Sequence, residues 1–140
     1  MLNLVRRLAV CTSVVAALAL VSVAAASAAV TVPFQINPAP YGNPTGSFDA
    51  PPVRCVAVVG EQPGEVTITG GKEGRWGCLL SSEVRWLNLS TGTSGFARLS
   101  DGLNGFPAEV TLQTGTGQLA VTVTSVAGAI TPGIATLYVP

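Results

Sequence analysis

The 140-residue sequence predicts an all-β fold, either a small antiparallel β-sandwich or a small barrel, held by one disulfide. From Val53 onward, short apolar or alternating runs are separated by turn residues, at the spacing of about 8–12 residues typical of such folds. Beyond residue 28 no window shows helical periodicity. Two of the three cysteines lie beyond that residue and can pair with each other.

Residues 1–28 have the features of a secretory signal peptide. Two arginines precede an apolar run, and Ala26-Ser27-Ala28 predicts cleavage before Ala29, with a second possible site at Ala24 to Ala26. The run approaches the length of a membrane-spanning helix, but the cleavage signal and the lack of a charge just after it favour the signal peptide. We therefore expect a secreted or extracytoplasmic (cell-envelope) protein without stable membrane insertion.

Residues 29–52 form a Pro-rich extended segment, since six of the ten prolines fall between Pro33 and Pro52. Proline fixes φ and lacks an N–H, so such a segment lies mostly outside regular sheet. It is either a strand docked on the sandwich edge or a flexible arm. Its apolar side chains favour docking: Phe34, Ile36, Tyr41 and Phe48.

Residues 53–140 are predicted to form the β-sandwich domain. The predicted strands, in order, are 53–59, 65–69, 77–82, 83–89, 96–100, 108–114, 118–126 and 134–139. The first is almost continuously apolar and is expected at the centre of a sheet. The second alternates, which points Val66 and Ile68 inward. The tryptophan of an immunoglobulin domain lies between its two cysteines, whereas Trp86 follows both here, so the sandwich is immunoglobulin-like without that family's inter-sheet bridge.

The connections carry turn chemistry. EQPG (61–64), the Gly-rich GGKEGRWG (70–77) and STGTSG (90–95) are predicted turns or loops. The sequence around GTG (115–117) predicts a β-hairpin joining 108–114 to 118–126. The same glycines match a dinucleotide-binding fingerprint, but that site needs a following helix, and an alternating strand follows instead.

The stretch GRWGC brings Arg75 and Trp76 next to Cys78. A reactive thiol would need a base, whereas two cysteines in an exported chain favour a Cys55–Cys78 disulfide. In the chain-entropy model such a bridge contributes roughly 3–3.5 kcal/mol. Arg75 and Trp76 then either shield the sulfur atoms or present a contact surface to a ligand or partner, and shielding is the favoured alternative.

Composition excludes several functional classes. There is no histidine, which removes the common general base, the Ser-His-Asp and Cys-His systems and every His-containing zinc site. The seven carboxylates are scattered singly, and no calcium-loop pattern occurs. After residue 28 there are five basic and seven acidic residues without a basic cluster, which argues against nucleic acid as a partner. We expect no enzyme activity, no metal and no cofactor.

Two further features have alternative interpretations. Trp76 with Trp86 and Phe96 could form an aromatic platform for a sugar or apolar ligand, although Trp86 is more simply a core residue. Asn88-Leu89-Ser90 is a glycosylation sequon that also suits the entry to a turn.

Residues 83–140 contain VRWLNLSTGTSGFARL, VTLQTGTGQLAVTVTSV and TPGIATLYVP, with a tryptophan strand, two TG-containing turns and a final PG…VP strand. In these motifs the chain resembles small uncharacterised exported β-sandwich proteins of actinobacteria. The resemblance implies an extracytoplasmic sandwich and transfers no catalytic residue.

The first functional hypothesis is a non-catalytic, secreted or envelope-associated protein that binds a protein or an envelope component, or associates with it structurally. The alternatives are a carrier or inhibitor for a small apolar or glycan ligand, and a channel-forming envelope subunit, for which most strands look too short.

Overall fold

The structure, a computed structural model, describes residues 28–40, 53–70, 78–79, 81–100, 108–125 and 130–140. Within these ranges the protein is all-β and contains no helix. Accordingly, this part of the chain has no helix long and apolar enough to cross a membrane. The strands are β1 (Val30–Pro33), β2 (Ala39–Pro40), β3 (Cys55–Val59), β4 (Glu65–Gly70), β5 (Glu83–Asn88), β6 (Ser94–Arg98), β7 (Val110–Gln113), β8 (Gly117–Thr124), β9 (Ile130–Thr131) and β10 (Gly133–Val139).

Eight of these strands form two four-stranded antiparallel sheets. Sheet 1 has the order β1-β3-β4-β7 and sheet 2 has the order β10-β8-β5-β6, while the short β2 and β9 pair separately. Each large sheet ends in two edge strands that do not pair with the other sheet. The described residues therefore form an open sandwich, which confirms the predicted sandwich and rules out the closed-barrel alternative.

The core lies between the sheets and follows the two-residue period of each strand. In β8 and β10 every second side chain is buried. Val66 and Ile68 of β4 are fully buried, as their alternation predicts. The inward aliphatic side chains of the two sheets include Ala57, Val59, Leu112, Val84, Leu119, Val121, Val123, Ala135, Leu137 and Val139.

β3, β5 and β7 lie within predicted runs, and β4, β8 and β10 extend theirs by one residue. β6 begins at Ser94, inside the turn predicted at 90–95, and β1, β2 and β9 fall outside the predicted runs. The strand predicted at 77–82 is wrong. Cys78 and Leu79 lie outside any strand, and Ser81 has a φ of 52°, a left-handed conformation that interrupts extended backbone. Cys78 is instead bonded to Cys55, at the start of β3.

The predicted hairpin around residues 115–117 is also wrong, because the strands on its two sides belong to different sheets. β7 pairs with β4, whereas β8 pairs with β10 and β5. The backbone N–H groups of Thr114 and Gly115 both donate to the carbonyl of Gly64, at 3.0 Å each. This contact holds the end of β7 on sheet 1, and two glycines with positive φ, Gly115 (70°) and Gly117 (126°), turn the chain into sheet 2.

The described part of the Pro-rich segment, residues 28–40, runs from sheet 1 to sheet 2. β1 pairs with β3, and Ile36 exchanges two backbone hydrogen bonds with Ile134 of β10, at 3.1 and 2.8 Å. Phe34 is buried in the core, whereas the side chain of Ile36 stays 48% exposed. Tyr41 and Phe48, like residues 1–27 of the predicted signal peptide, lie outside the described residues. We call residues 28–40 the N-terminal arm.

Candidate functional site

Cys55 and Cys78 form a disulfide with their Cα atoms 4.6 Å apart. Both residues are 1% exposed and belong to the core cluster. The N–H of Cys55 donates to the Asn37 side chain (2.8 Å), which also ties the N-terminal arm to the bridge. Because the sulfur atoms are bonded to each other and buried, this end of β3 is a structural link. Arg75 and Trp76 lie outside the described residues, so their shielding or contact role stays a prediction.

The sequon asparagine is a structural residue. Asn88 is fully buried at the end of β5, and its Nδ2 donates to the carbonyls of Thr114 (2.9 Å) and Thr116 (3.0 Å). Its Oδ1 accepts from the N–H groups of Ser90 (3.0 Å) and Thr91 (3.1 Å). Both ends of the amide are therefore engaged, and the nitrogen that would carry a glycan is inaccessible in the folded domain.

Trp86 and Phe96 do not share a platform, because they point to opposite sides of sheet 2. Trp86 packs against the core cluster and lies over Gly95, where a Cβ would come within 2.8 Å of the indole ring. Phe96 pairs with Arg85 on the outward side and is 76% exposed. The interpretation of Trp86 as a core-facing residue is thus consistent with its position.

The outward side of sheet 2 carries most of the exposed apolar side chains in the described part of the chain. Seven large apolar residues are exposed among the described residues, and of these only Val30 belongs to sheet 1. The other six lie together because outward positions of paired strands share one side, and Ile36 joins them through its bridge to Ile134. We call this surface the apolar face, formed by Ile36, Leu87, Leu89, Phe96, Ile134 and Tyr138.

The strand register arranges the apolar face in rows. Ile134, Thr122, Arg85 and Phe96 lie side by side across the four strands of sheet 2. The next row is Thr136, Ala120, Leu87 and Ser94. Four strands about 4.8 Å apart and five to eight residues long give the outward side of sheet 2 an area of roughly 400 Å², which the apolar side chains share with polar and charged ones.

The charges on this side lie toward one end of the apolar face. Glu83 and Arg85 of β5 form an ion pair, and Arg98 of β6 is opposite Glu83. The opposite end carries Leu89 and Tyr138 without a charged neighbour in the same row. The charged side chains therefore occupy the rows of Glu83 and Arg85, and the rows of Leu87 and Leu89 carry none.

The outward side of sheet 1 is different in chemistry. Thr67 of β4 and Thr111 of β7 lie opposite each other and share a hydroxyl–hydroxyl hydrogen bond of 2.9 Å. Glu65 accepts a hydrogen bond from Gln113 in the same pair of strands. Polar side chains therefore satisfy one another between β4 and β7, while Val56 and Val58 of β3 lie on the same side of the sheet.

Among the described residues no group of three or more His, Cys, Asp and Glu side chains could hold a metal ion. Comparison of the chain with protein-family models, with curated proteins and with solved structures found no match.

The sequence analysis missed the apolar face, apart from Phe96. Its residues come from β5, β6, β10, the turn after β5 and the N-terminal arm, and only the register brings them together. A signal does exist in IATLYV, where Ile134 and Tyr138 occupy positions that a half-buried strand normally leaves polar.

Proposed function

We propose that the chain is a secreted or cell-envelope-associated, non-catalytic protein that acts by binding or structural association through the apolar face. The observation that carries the proposal is the convergence on one side of sheet 2 of six of the seven exposed large apolar side chains in the described residues. Single exposed apolar residues are ordinary, whereas several of them on one side of a sheet favour an interaction surface.

Two features support a location outside the cytoplasm. The N-terminal segment has the charged, apolar and small-residue parts of a signal peptide. The buried Cys55–Cys78 disulfide fits an oxidising compartment, where small domains use such bonds for stability.

The described polar groups support binding over chemistry. The carboxylate of Glu65 accepts a hydrogen bond from Gln113, and that of Glu83 forms an ion pair with Arg85. Both carboxylates therefore interact with neighbours on their own sheet. Asn88, the buried polar side chain with the most described hydrogen bonds, holds a turn and a strand connection together. The sequence also contains no histidine, the side chain that most often acts as a general base.

Site-specific photo-cross-linking in cells that naturally produce the protein tests this function. A photoreactive amino acid replaces either Leu87 or Tyr138 on the apolar face, and Thr111 on the outward side of sheet 1 serves as the matched control. We expect covalent adducts from the two positions on the apolar face and not from the control. Equal adducts from Thr111, or none from any position, would contradict the proposal.

A further inference from the structure

The predicted cleavage bond lies directly before the folded sheet. Cleavage is predicted between Ala28 and Ala29, and β1 begins at Val30, which pairs with Val59 of β3. The residues on both sides of the bond are exposed, at the start of an edge strand. The rest of the cleavage signal, residues 26–27, lies outside the described residues. A single residue, Ala29, therefore separates the bond from a residue that is held in sheet 1.

β1 is the first part of the N-terminal arm, and the arm is built into the core. Beyond β1, the N–H of Phe34 donates to the carbonyl of Cys55 (3.1 Å), and the N–H of Cys55 donates to the side chain of Asn37 (2.8 Å). The Phe34 side chain is 4% exposed and packs with the core cluster. Docking of β1 is therefore continuous with the packing of the domain.

The N-terminal arm is also fastened to sheet 2. Besides its backbone bridge to β10, the side-chain amide of Gln35 accepts from the N–H of Thr136 (2.7 Å) and donates to its carbonyl (3.3 Å). Pro38 lies so close to Gly133 that a Cβ there would come within 2.6 Å of it. Since the docked arm is held on both sheets, release of β1 from the folded domain requires several contacts to break together.

The chain between the predicted membrane segment and β1 is too short for a peptidase to act beside the folded domain. A chain extends by at most about 3.5 Å per residue, so Val30 can lie no more than about 10 Å beyond Ser27. Two packed sheets are about 10 Å apart before their outward side chains are counted, so the domain is thicker than this tether is long. A peptidase that closes around the bond would therefore meet residues already paired in β1.

We propose that the Ala28–Ala29 bond can be hydrolysed only while β1 is undocked from β3, so that the order of the two events decides between release and anchoring. This inference rests on the proposed export of the chain. Hydrolysis adds water across the amide bond and leaves a carboxylate on Ala28 and an ammonium group on Ala29. When it comes first, the protein is released and the arm then docks. When docking comes first, the apolar N-terminal segment is kept and holds the sandwich at the membrane.

The disulfide acts on the same balance. Cys55 begins β3, and both of its backbone groups bond the N-terminal arm. Its bond to Cys78 fixes the residue on which the arm docks. We therefore expect undocking to be more frequent in the reduced chain, which should be cleaved faster than the oxidised chain.

Digestion of the purified full chain with a signal peptidase tests the proposal. The chain is folded in detergent micelles with its disulfide formed, and mass spectrometry follows cleavage between Ala28 and Ala29. The native chain should be resistant. An insertion of about eight Gly and Ser residues between Ala29 and Val30 lengthens the tether and should raise the cleavage rate at least tenfold. The matched control carries the same insertion after Gly92, in the exposed turn between β5 and β6, and should be as resistant as the native chain.

A second variant undocks the arm without lengthening the tether. Phe34→Asp places a charge in the core and should release the arm, which raises the cleavage rate at least tenfold. Hydrogen exchange of residues 30–33 measures the release, and that of β8 shows whether the rest of the sandwich stays folded. Because the insertion before Val30 leaves the core unchanged, the test does not depend on the folding of Phe34→Asp.

Two results would overturn the proposal. If the folded native chain is cleaved as fast as the variant with the longer tether, docking does not protect the bond, and the predicted cleavage site stands. If neither variant nor the reduced chain is cleaved between Ala28 and Ala29, both the proposal and the predicted site are wrong. Cross-linking from Leu87 and Tyr138 tests the binding function of the apolar face separately, so the two failures are distinguishable.

Discussion

The two sheets have similar inner sides and contrasting outer sides. Both bury every second side chain in a common core, as in β4 of sheet 1 and β8 of sheet 2. On the outside, sheet 1 presents hydroxyl and amide groups that bond one another, such as Thr67 with Thr111. Sheet 2 presents Leu87, Phe96 and Tyr138 to solvent. The inner sides account for the fold, and the difference between the outer sides is the basis for proposing an interaction through sheet 2.

The sheets also differ in how their ends are fastened. Sheet 1 has a covalent link, in which Cys78 is bonded to the start of β3. Sheet 2 uses Asn88, whose amide bonds the connection from β7 to β8 and the turn after β5. We therefore expect removal of the disulfide to lower the free energy of unfolding more than removal of the Asn88 amide does, since the asparagine acts through several individually modest hydrogen bonds.

The largest effect is expected from removing the disulfide. The double substitution Cys55→Ala with Cys78→Ala should lower the free energy of unfolding by about 4 kcal/mol, from the lost loop constraint and the buried sulfur packing. Urea denaturation measures the change. A reductant should destabilise the native chain by a comparable amount and leave the double variant unchanged. A loss below about 1 kcal/mol would show that the bridge does not constrain the unfolded chain.

Asn88→Ala should have the next largest effect. It leaves the buried carbonyl of Thr114 without this donor, and a loss of about 3 kcal/mol is expected from the unsatisfied groups. The matched control is Ser90→Ala, which removes an exposed acceptor for the N–H of Gln118 and should cost about 1 kcal/mol or less. Equal losses for the two variants in urea denaturation would contradict the central role of the asparagine.

Local patterns predicted much of the fold because strand alternation and turn residues are local properties. β3, β4, β5 and β10 lie within the predicted runs or extend them by one residue, and the turn at 61–64 ends at Gly64 with a φ of 75°. Export was also predicted from local residues and stays a prediction.

The errors came from non-local contacts. An alternating run on each side of GTG suits a hairpin and a crossing between sheets equally well. The hydrogen bonds to the Gly64 carbonyl, about 50 residues away, decide in favour of the crossing. The strand predicted at 77–82 fails for a similar reason, because its apolar residues suggest extension while the bond to Cys55 fixes Cys78 elsewhere.

The candidate site was harder to predict than the fold. The sequence analysis placed interest on Arg75 and Trp76, since an arginine, a tryptophan and a cysteine in five residues look like chemistry. The apolar face has no such local signature. Its members become neighbours through the pairing of β5 with β8 and β6, and of β8 with β10, so it is apparent only once the register is known.

The smallest effect on stability is expected from exchanging an apolar and a polar side chain between the outer sides of the two sheets. This exchange also tests the contrast between the outer sides most directly. Leu87→Thr makes the apolar face more like sheet 1, and Thr111→Leu does the reverse at an exposed position. Both side chains are exposed, so each change should alter the free energy of unfolding by only about 0.5 kcal/mol. Retention on a hydrophobic column should fall for Leu87→Thr and rise for Thr111→Leu.

The combined substitution completes this test. With both changes together, retention on the hydrophobic column should return close to the native value, because the total exposed apolar surface is nearly restored. Cross-linked adducts from a photoreactive residue at position 138 should nevertheless stay weaker than in the native chain, since the added leucine lies on sheet 1, away from the apolar face. Recovery of these adducts would show that exposed apolar area alone drives binding, and the arrangement of side chains on sheet 2 would then carry no specificity.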